Sequence, residues 1–273
     1  MALPAARERI RERAGGARVI LPLPPMPHLT PSDWLLAVAG AVGIGVAKSG
    51  FSGMSMLHVL IFASLFGARD STGVVLPMLI VGDVLAVRTF RQHARWDYIR
   101  RLLPPAAIGV IAGALLVRWL GEAQYRPLIG AIILALTALQ LLRLWRPALF
   151  ERVPHTLWFA WGMGLLVGVT TMLANAAGPI AALYLLAVAL PKLEFAGTSA
   201  WLFLIINCFK VPFSVALGLI HRDTLLLNAT LIPAIAAGLF AGRWLVHCIP
   251  QRIFDALLLA FAAIAALRLV GIF

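Results

Sequence analysis

The sequence predicts an all-α polytopic membrane protein. It reads as two inverted pseudo-repeats, each a broken or re-entrant helix pair plus three transmembrane helices, about eight to ten membrane segments in all. Four observations carry this prediction. The chain is 62% hydrophobic and only 12% charged, with a mean hydropathy of +0.94, far too apolar for a soluble domain. Its apolar runs are continuous, whereas a β-barrel would alternate in short segments. Val153 to Pro191 is 39 residues without an Asp, Glu, Lys or Arg, and as one helix would reach ~58 Å, about twice the hydrocarbon core of a bilayer. That stretch must fold back on itself. Finally, Trp34 to Ala68 is its counterpart in the first half, carrying one charge, Lys48, in 35 residues.

The elements follow in order. Residues 1–31 alternate arginine with glutamate and end in the proline-rich LPLPPMPHLTP. No apolar core follows those arginines, so this is read as a flexible or surface-lying tail and not a secretory signal. Residues 32–146 form the first membrane repeat and 147–273 the second. In the first, Trp34–Lys48 and Gly53–Phe66 are each ~22 Å long as helices, too short to span comfortably, and are expected to meet near the middle of the membrane. Spans follow at Ser71–Val87, Leu102–Trp119 and Tyr125–Leu142. The second repeat opens with the uncharged stretch, weakened as a helix at Asn175, Gly178 and Pro179, and continues with Ala196–Ile220, Leu225–Val246 and Ile253–Phe273. Shifting the sequence by 129 residues superposes Pro104 on Pro233, Gly109 on Gly238 and Gly113 on Gly242, among seven identities in fourteen positions. One broken stretch plus three spans gives each half an odd number of crossings, so the two copies lie upside down relative to each other. The GxxxG spacings at Gly109–Gly113 and Gly238–Gly242 fit helix contact within the chain or a homo-oligomer interface.

The formal net charge of +12 does not mark a nucleic-acid binder, because the 23 Lys and Arg are scattered among loops between apolar spans. Ten of them, from Arg88 to Arg252, gather on one side of the membrane against six on the other. The positive-inside bias then makes the first side cytoplasmic and places both termini outside a bacterial-type inner membrane. The two cysteines, Cys208 and Cys248, sit in apolar runs, and the six histidines are dispersed without ligand spacing, so no metal and no cofactor is expected. An intramembrane enzyme would need paired carboxylates, a His-Glu metal motif or a nucleophile with its base; the spans offer Asp83 alone.

The breaks are the candidate substrate site. Paired hydrophobic stretches interrupted by small and polar residues point to a transporter binding site. A helix that begins inside the membrane presents unpaired N–H groups and a partial positive charge, which favour an anion. Half-helices starting near Ser52–Gly53 and Gly178–Pro179 would aim two such ends at one point. Gly50, Gly53 and Gly178 permit close backbone approach, Ser49, Ser52, Thr170, Thr171 and Asn175 offer hydrogen bonds, and Lys48 offers charge. A snorkelling role for Lys48 and a packing role for the small residues stand as alternatives. Asp83 and Lys210 lie within otherwise apolar spans, and Asn207 shares a helix face with Lys210. Asp83 is placed to pair with Arg88 one turn on, or with Lys210 across the repeats, as a structural bridge, a gate or a coupling element.

The pairing of GVAKSGFSGMSML with GLLVGVTTMLANAAGPIAALYLL, supported by FRQHARWD and GTSAWLFLIINCFKVPF, resembles the TauE/SafE family of sulfite and organosulfonate exporters. The resemblance runs from about Trp34 to the end. It implies an inner-membrane carrier whose partners are the bilayer and a small anion, often sulfur-containing and usually exported. The chain departs from the glycine-heavy form of the pattern at Ser49, Ser52, Met54 and Ser55, and at Thr170, Thr171, Asn175 and Ala177, which bears on which anion fits. A channel or carrier for a cation or neutral solute, and a non-transporting assembly protein, are the competing readings.

Overall fold

The computed structural model describes residues 29–49, 54–146, 156–188 and 190–248, together with positions 260, 263, 264 and 267. The tail and the expected last span, Ile253–Phe273, fall almost wholly outside the described residues. Among those described there are helices and no strands.

α1 spans Pro31–Lys48. It starts three residues before the apolar run because Thr30 and Asp33 form a capping box, with Asp33 N–H donating to Thr30 Oγ1 at 3.3 Å and Thr30 N–H to the Asp33 carboxylate at 2.9 Å. Pro31 occupies the first turn, where a missing N–H costs nothing. α2, Met54–Phe66, follows the first break and stops at Gly67, whose φ of +84° suits glycine. α3 is Asp70–Phe90, a short 3₁₀ turn covers Arg91–His93, and α4 is Trp96–Trp119. α5 is Glu122–Trp145 and α6 is Leu157–Ala174. After the second break come α7, Gly178–Ala187, then α8, Lys192–Ala216, and α9, Arg222–Cys248. α4 and α8 begin earlier than hydropathy alone indicates, because their polar first turns lie outside the apolar stretch.

Six of these helices are long and apolar enough to cross a membrane. They leave large side chains outward, including Leu115, Leu166 and Phe240, as expected where hydrocarbon is the solvent. Trp119, Trp145, Trp158 and Trp244 are exposed near helix ends, the position of an interfacial aromatic belt. The protein is a multi-pass integral membrane protein.

Packing joins the halves. α4 lies against α6, and α1 against α9, so the helix before each break packs on the fourth helix of the other half. Both contacts run parallel and are made by glycine. A Cβ at Gly168 would collide with the Ala106 carbonyl, and one at Gly109 with the Leu165 carbonyl. On the other side, Gly45 meets the Ile235 carbonyl and Gly238 the Val42 carbonyl in the same way. The third helices, α3 and α8, pack antiparallel. Gly73 abuts Leu219 at one end, while Gly197 abuts Phe90 and Ala94 at the other. Tyr125 donates to the Leu173 carbonyl at 2.6 Å, and the Glu122 carboxylate accepts the Ala68 N–H at 2.9 Å. These two bonds fasten α5 to the end of α6 and to the α2–α3 turn.

Two backbones this close tolerate no side chain between them. Gly168→Val and Gly238→Val should each lower stability by about 1–3 kcal/mol or more, as overpacking does, while Gly162→Ala, where a Cβ meets nothing within 4 Å, should melt like wild type. Thermal melting in detergent checks this; wild-type melting of the two valine variants would mean the helices are not in contact there.

Candidate functional site

The breaks bring the polar residues together. α1 ends at Lys48 and α2 begins at Met54; α6 ends at Ala174 and α7 begins at Gly178. Asn175 closes α6 in the left-handed region, φ 52° and ψ 25°, a conformation asparagine tolerates better than most residues. That turn aims its side chain back beneath the helix end, where Nδ2 donates to the Thr72 carbonyl of α3 at 2.9 Å. Pro179 sits in the first turn of α7, where it is harmless.

Around the breaks runs one network. Lys48 Nζ lies 2.5 Å from Asp83 Oδ1 and 5.1 Å from the centre of the Phe203 ring, within cation–π range. The other carboxylate oxygen, Oδ2, accepts from Asn207 Nδ2 at 2.7 Å. Asn207 Oδ1 accepts in turn from Lys210 Nζ at 3.4 Å, and that ammonium also donates to Asn175 Oδ1 at 2.5 Å and Thr171 Oγ1 at 3.1 Å. Asp83, Asn207, Lys210, Thr171 and Asn175 are all buried. Lys210 Nζ meets three oxygen atoms, the number that an –NH₃⁺ group can serve by donation alone. Each lysine also lies at the C-terminal end of a broken helix, Lys48 on α1 and Lys210 beneath α6, where the helix dipole favours a cation.

A cavity of about 110 Å³ opens above this network, room for several waters at ~10–15 Å³ each. Lys48, Asp83, Thr171, Asn175, Gly178 and Asn207 line it, together with Ser55, His58, Ser199, Phe195 and Phe203. On α3 the lining runs from Leu79 to Ala86, and on α8 from Asn207 to Phe195. Both tracks lead toward the 3₁₀ turn, where Arg95 N–H donates to Thr198 Oγ1 at 2.9 Å and the Arg95 guanidinium sits 3.4 Å from Glu194.

Not every candidate reaches the cavity. Ser49 turns its hydroxyl to the Val46 carbonyl at 2.7 Å and packs beside Gly242. Thr170 donates to the Leu166 carbonyl at 2.6 Å, and neither residue is part of the lining. Gly50, Ser52 and Gly53 lie outside the described residues. Asp83 pairs with neither Arg88, which is exposed, nor directly with Lys210; its ion partner is Lys48, and Asn207 bridges it to Lys210. Lys48 therefore faces inward and does not snorkel. The sequence reading passed over His58, Thr72 and Ser199, and named Ser55 only as a departure from the family pattern. Ser199 is the serine of the Thr-Ser in GTSAWLFLIINCFKVPF and Ser55 stands beside the first break, so a signal for both was present.

Apolar crossing helices around a buried, charged centre at two helix breaks define an integral membrane permease. The chain matches the family model described as sulfite exporter TauE/SafE over residues 35–269, and it belongs to the TauE/SafE sulfite exporter family. No curated protein and no solved structure matches it.

Breaking the buried pair from one side should be costly. Asp83→Ala leaves two lysine ammoniums without a carboxylate and is expected to destabilise by about 3–5 kcal/mol, whereas Lys48→Met with Asp83→Leu should recover most of that loss. Melting curves of the single and double variants test it. Equal stability for Asp83→Ala and wild type would show that the ion pair does not hold these helices.

Proposed function

We propose that this protein carries a small monoanion across the membrane through the cavity at the two breaks, and that the anion is a sulfite or an organosulfonate. One observation carries the reading. Two lysines, Lys48 and Lys210, share the single carboxylate Asp83 inside an apolar bundle, so with both protonated one positive charge is in excess. An uncompensated buried charge is expensive, and a bound monoanion would balance it. Lys48, which lines the cavity and is partly exposed, is the group that touches the anion. Lys210 has all three donors committed to protein and acts through its field. The first turn of α7 adds the positive end of a helix beside Gly178. The family supplies the sulfur-oxyanion class, and Ser55, Ser199 and Asn207 supply donors for its oxygens.

Support for alternating access comes from the packing. Equivalent helices α3 and α8 touch antiparallel, and the helix before each break packs on the other half's fourth helix. A pseudo-twofold axis lying in the membrane plane would produce both arrangements, the relation expected of inverted repeats 32–146 and 147–273. The cavity extends toward the end of the bundle where Arg88, Arg91, Arg95, Arg100 and Arg101 gather. We take that face as cytoplasmic by the positive-inside bias, in an inner membrane of bacterial type. The arginine cluster would concentrate anions at the mouth, so loading occurs from inside and release outside. The protein acts as a carrier without chemical conversion of its cargo.

Removing the excess charge while keeping hydrogen-bonding capacity isolates this claim. Lys210→Gln should bind sulfite or ethanesulfonate about 10–100-fold more weakly, the worth of a charge-assisted hydrogen bond or its equivalent in field. Proteoliposome flux down an anion gradient should fall in parallel. Wild-type binding and flux in a folded Lys210→Gln protein would sink the central-charge reading.

A further inference from the structure

The site holds one titratable group that the network leaves out. His58 lies one turn into α2, is 1% exposed, and lines the same cavity as Lys48 and Asp83. Among the described residues neither of its ring nitrogens has a hydrogen-bond partner. The Met54 carbonyl, one turn back, acts on the ring only weakly and makes no hydrogen bond in this geometry. A buried polar atom left unpaired costs about 1–3 kcal/mol, and His58 carries two. Thr171, Asn175 and Asn207 are hydrogen-bonded in the same cavity, and Asp83 Oδ1, likewise without a hydrogen bond, faces the Lys48 ammonium as an ion pair, whereas the His58 nitrogens have neither. An imidazole with both nitrogens unspent at the wall of an anion cavity is therefore a group held for the substrate.

We propose that His58 is a further substrate-binding residue, and that it takes up a proton from water as the anion enters, so that anion binding and proton binding are linked. This rests on the anion-carrier reading and adds to it. The physical reason lies in the charges that face the ring. α1 presents Lys48, α3 presents Asp83 already paired to it, and α8 places Lys210 behind Asn207. From α6 and α7 come Thr171, Asn175 and Gly178, which do not titrate, and Tyr184 lies away from the cavity lining, stacked on Phe159 and edge-on to Tyr98. With the cavity empty the excess cation disfavours a second one on the imidazole. A bound oxyanion cancels that charge and offers acceptors. It cannot satisfy a neutral imidazole fully, because one nitrogen of that ring accepts, whereas the imidazolium donates from both. The proton moves from bulk water to the ring, and no bond of the anion is made or broken.

Linkage sets the sign. If the bound state holds one more proton than the empty state, affinity rises as pH falls, by at most about tenfold per pH unit. The experiment is titration calorimetry of the purified full chain with ethanesulfonate, which has no titratable group between about pH 5 and 9, and with sulfite after subtraction of its own ionisation. Running each in buffers of different ionisation heat counts the protons taken up. Wild type should take up close to one proton per anion toward the acid end of that range, where the ring is protonated in the complex and neutral in the empty cavity, and uptake should fall away toward the upper end. His58→Gln and His58→Phe should bind about tenfold more weakly with no uptake and a flat pH profile. Anion binding by wild type without proton uptake overturns the linkage and leaves the carrier reading standing. Uptake that persists in folded His58 variants overturns the assignment to His58. Failure of both anions to bind wild type overturns the carrier reading and this inference with it. Should both variants fail to fold, ring-nitrogen NMR signals of histidine-labelled wild type decide the assignment: a histidine that turns to imidazolium on anion binding supports it, and proton uptake with no such change overturns it.

Discussion

Asp83 is the constraint on which the centre of this protein depends. A carboxylate buried in a membrane bundle must be neutralised and hydrogen-bonded or it will not stay ionised there. One oxygen goes to Lys48 and the other to Asn207. Those two partners sit on the end of α1 and the middle of α8, so satisfying one side chain fixes where the first break meets the second half. Asn207 then passes the constraint to Lys210, and Lys210 to Thr171 and Asn175 at the end of α6. Four helices are positioned by one chain of polar contacts. That chain holds two lysines to one carboxylate, and on the proposed function the cargo anion supplies the balancing charge.

The two breaks were legible in the sequence because they rest on length and local propensity. An uncharged stretch too long for one crossing, with Asn, Gly and Pro at its middle, has few ways to fold, and α6 stops where Asn175 predicts. What the sequence could not show was partnership. Asp83 and Asn207 are 124 residues apart, and nothing local distinguishes Lys48 from Arg88 as the ion partner of Asp83. Helical phase was a second blind spot. Thr170 and Thr171 are neighbours in sequence, but a step of ~100° around α6 sends one hydroxyl to the Leu166 carbonyl and the other to Lys210. Ser49 fails for a related reason, since its hydroxyl satisfies the last turn of α1. His58 was missed because it looks like one of six scattered histidines, and only the fold reveals that it stands at the cavity wall without a partner.

The glycine pairs sharpen the question of what moves. GxxxG spacing alone fits contact within a chain or between chains, and Gly109 and Gly238 resolve to contacts within this one. These are backbone-to-backbone approaches, with the least slack that packing allows. One apolar core gathers α4, α5, α6, α7 and one face of α8; another gathers α1, α3 and α9, and α2 contributes to both. Neither core corresponds to one half of the sequence.

Carriers that expose a central site alternately to each face do so by moving packed units against each other, because interiors are bistable and resist continuous deformation. In this fold the units cannot be the two sequence halves. Separating residues 32–146 from 147–273 would have to pull α4 off α6 and α1 off α9, undoing both glycine interfaces at once. At the cavity the contacts between the two cores are of another kind. They consist of Lys48, Asp83, Asn207, Lys210 and Asn175, groups whose hydrogen bonds can be exchanged for those of an anion or of water at little net cost. Between the cores, α3 and α8 also meet through the Gly73 and Gly197 approaches and an apolar cluster of Ala86, Val87 and Ala200, with the exchangeable polar network lying between those two ends. On the proposed carrier function, the buried network is the part of this boundary that a bound anion can loosen, and the glycine approaches are the part that it cannot.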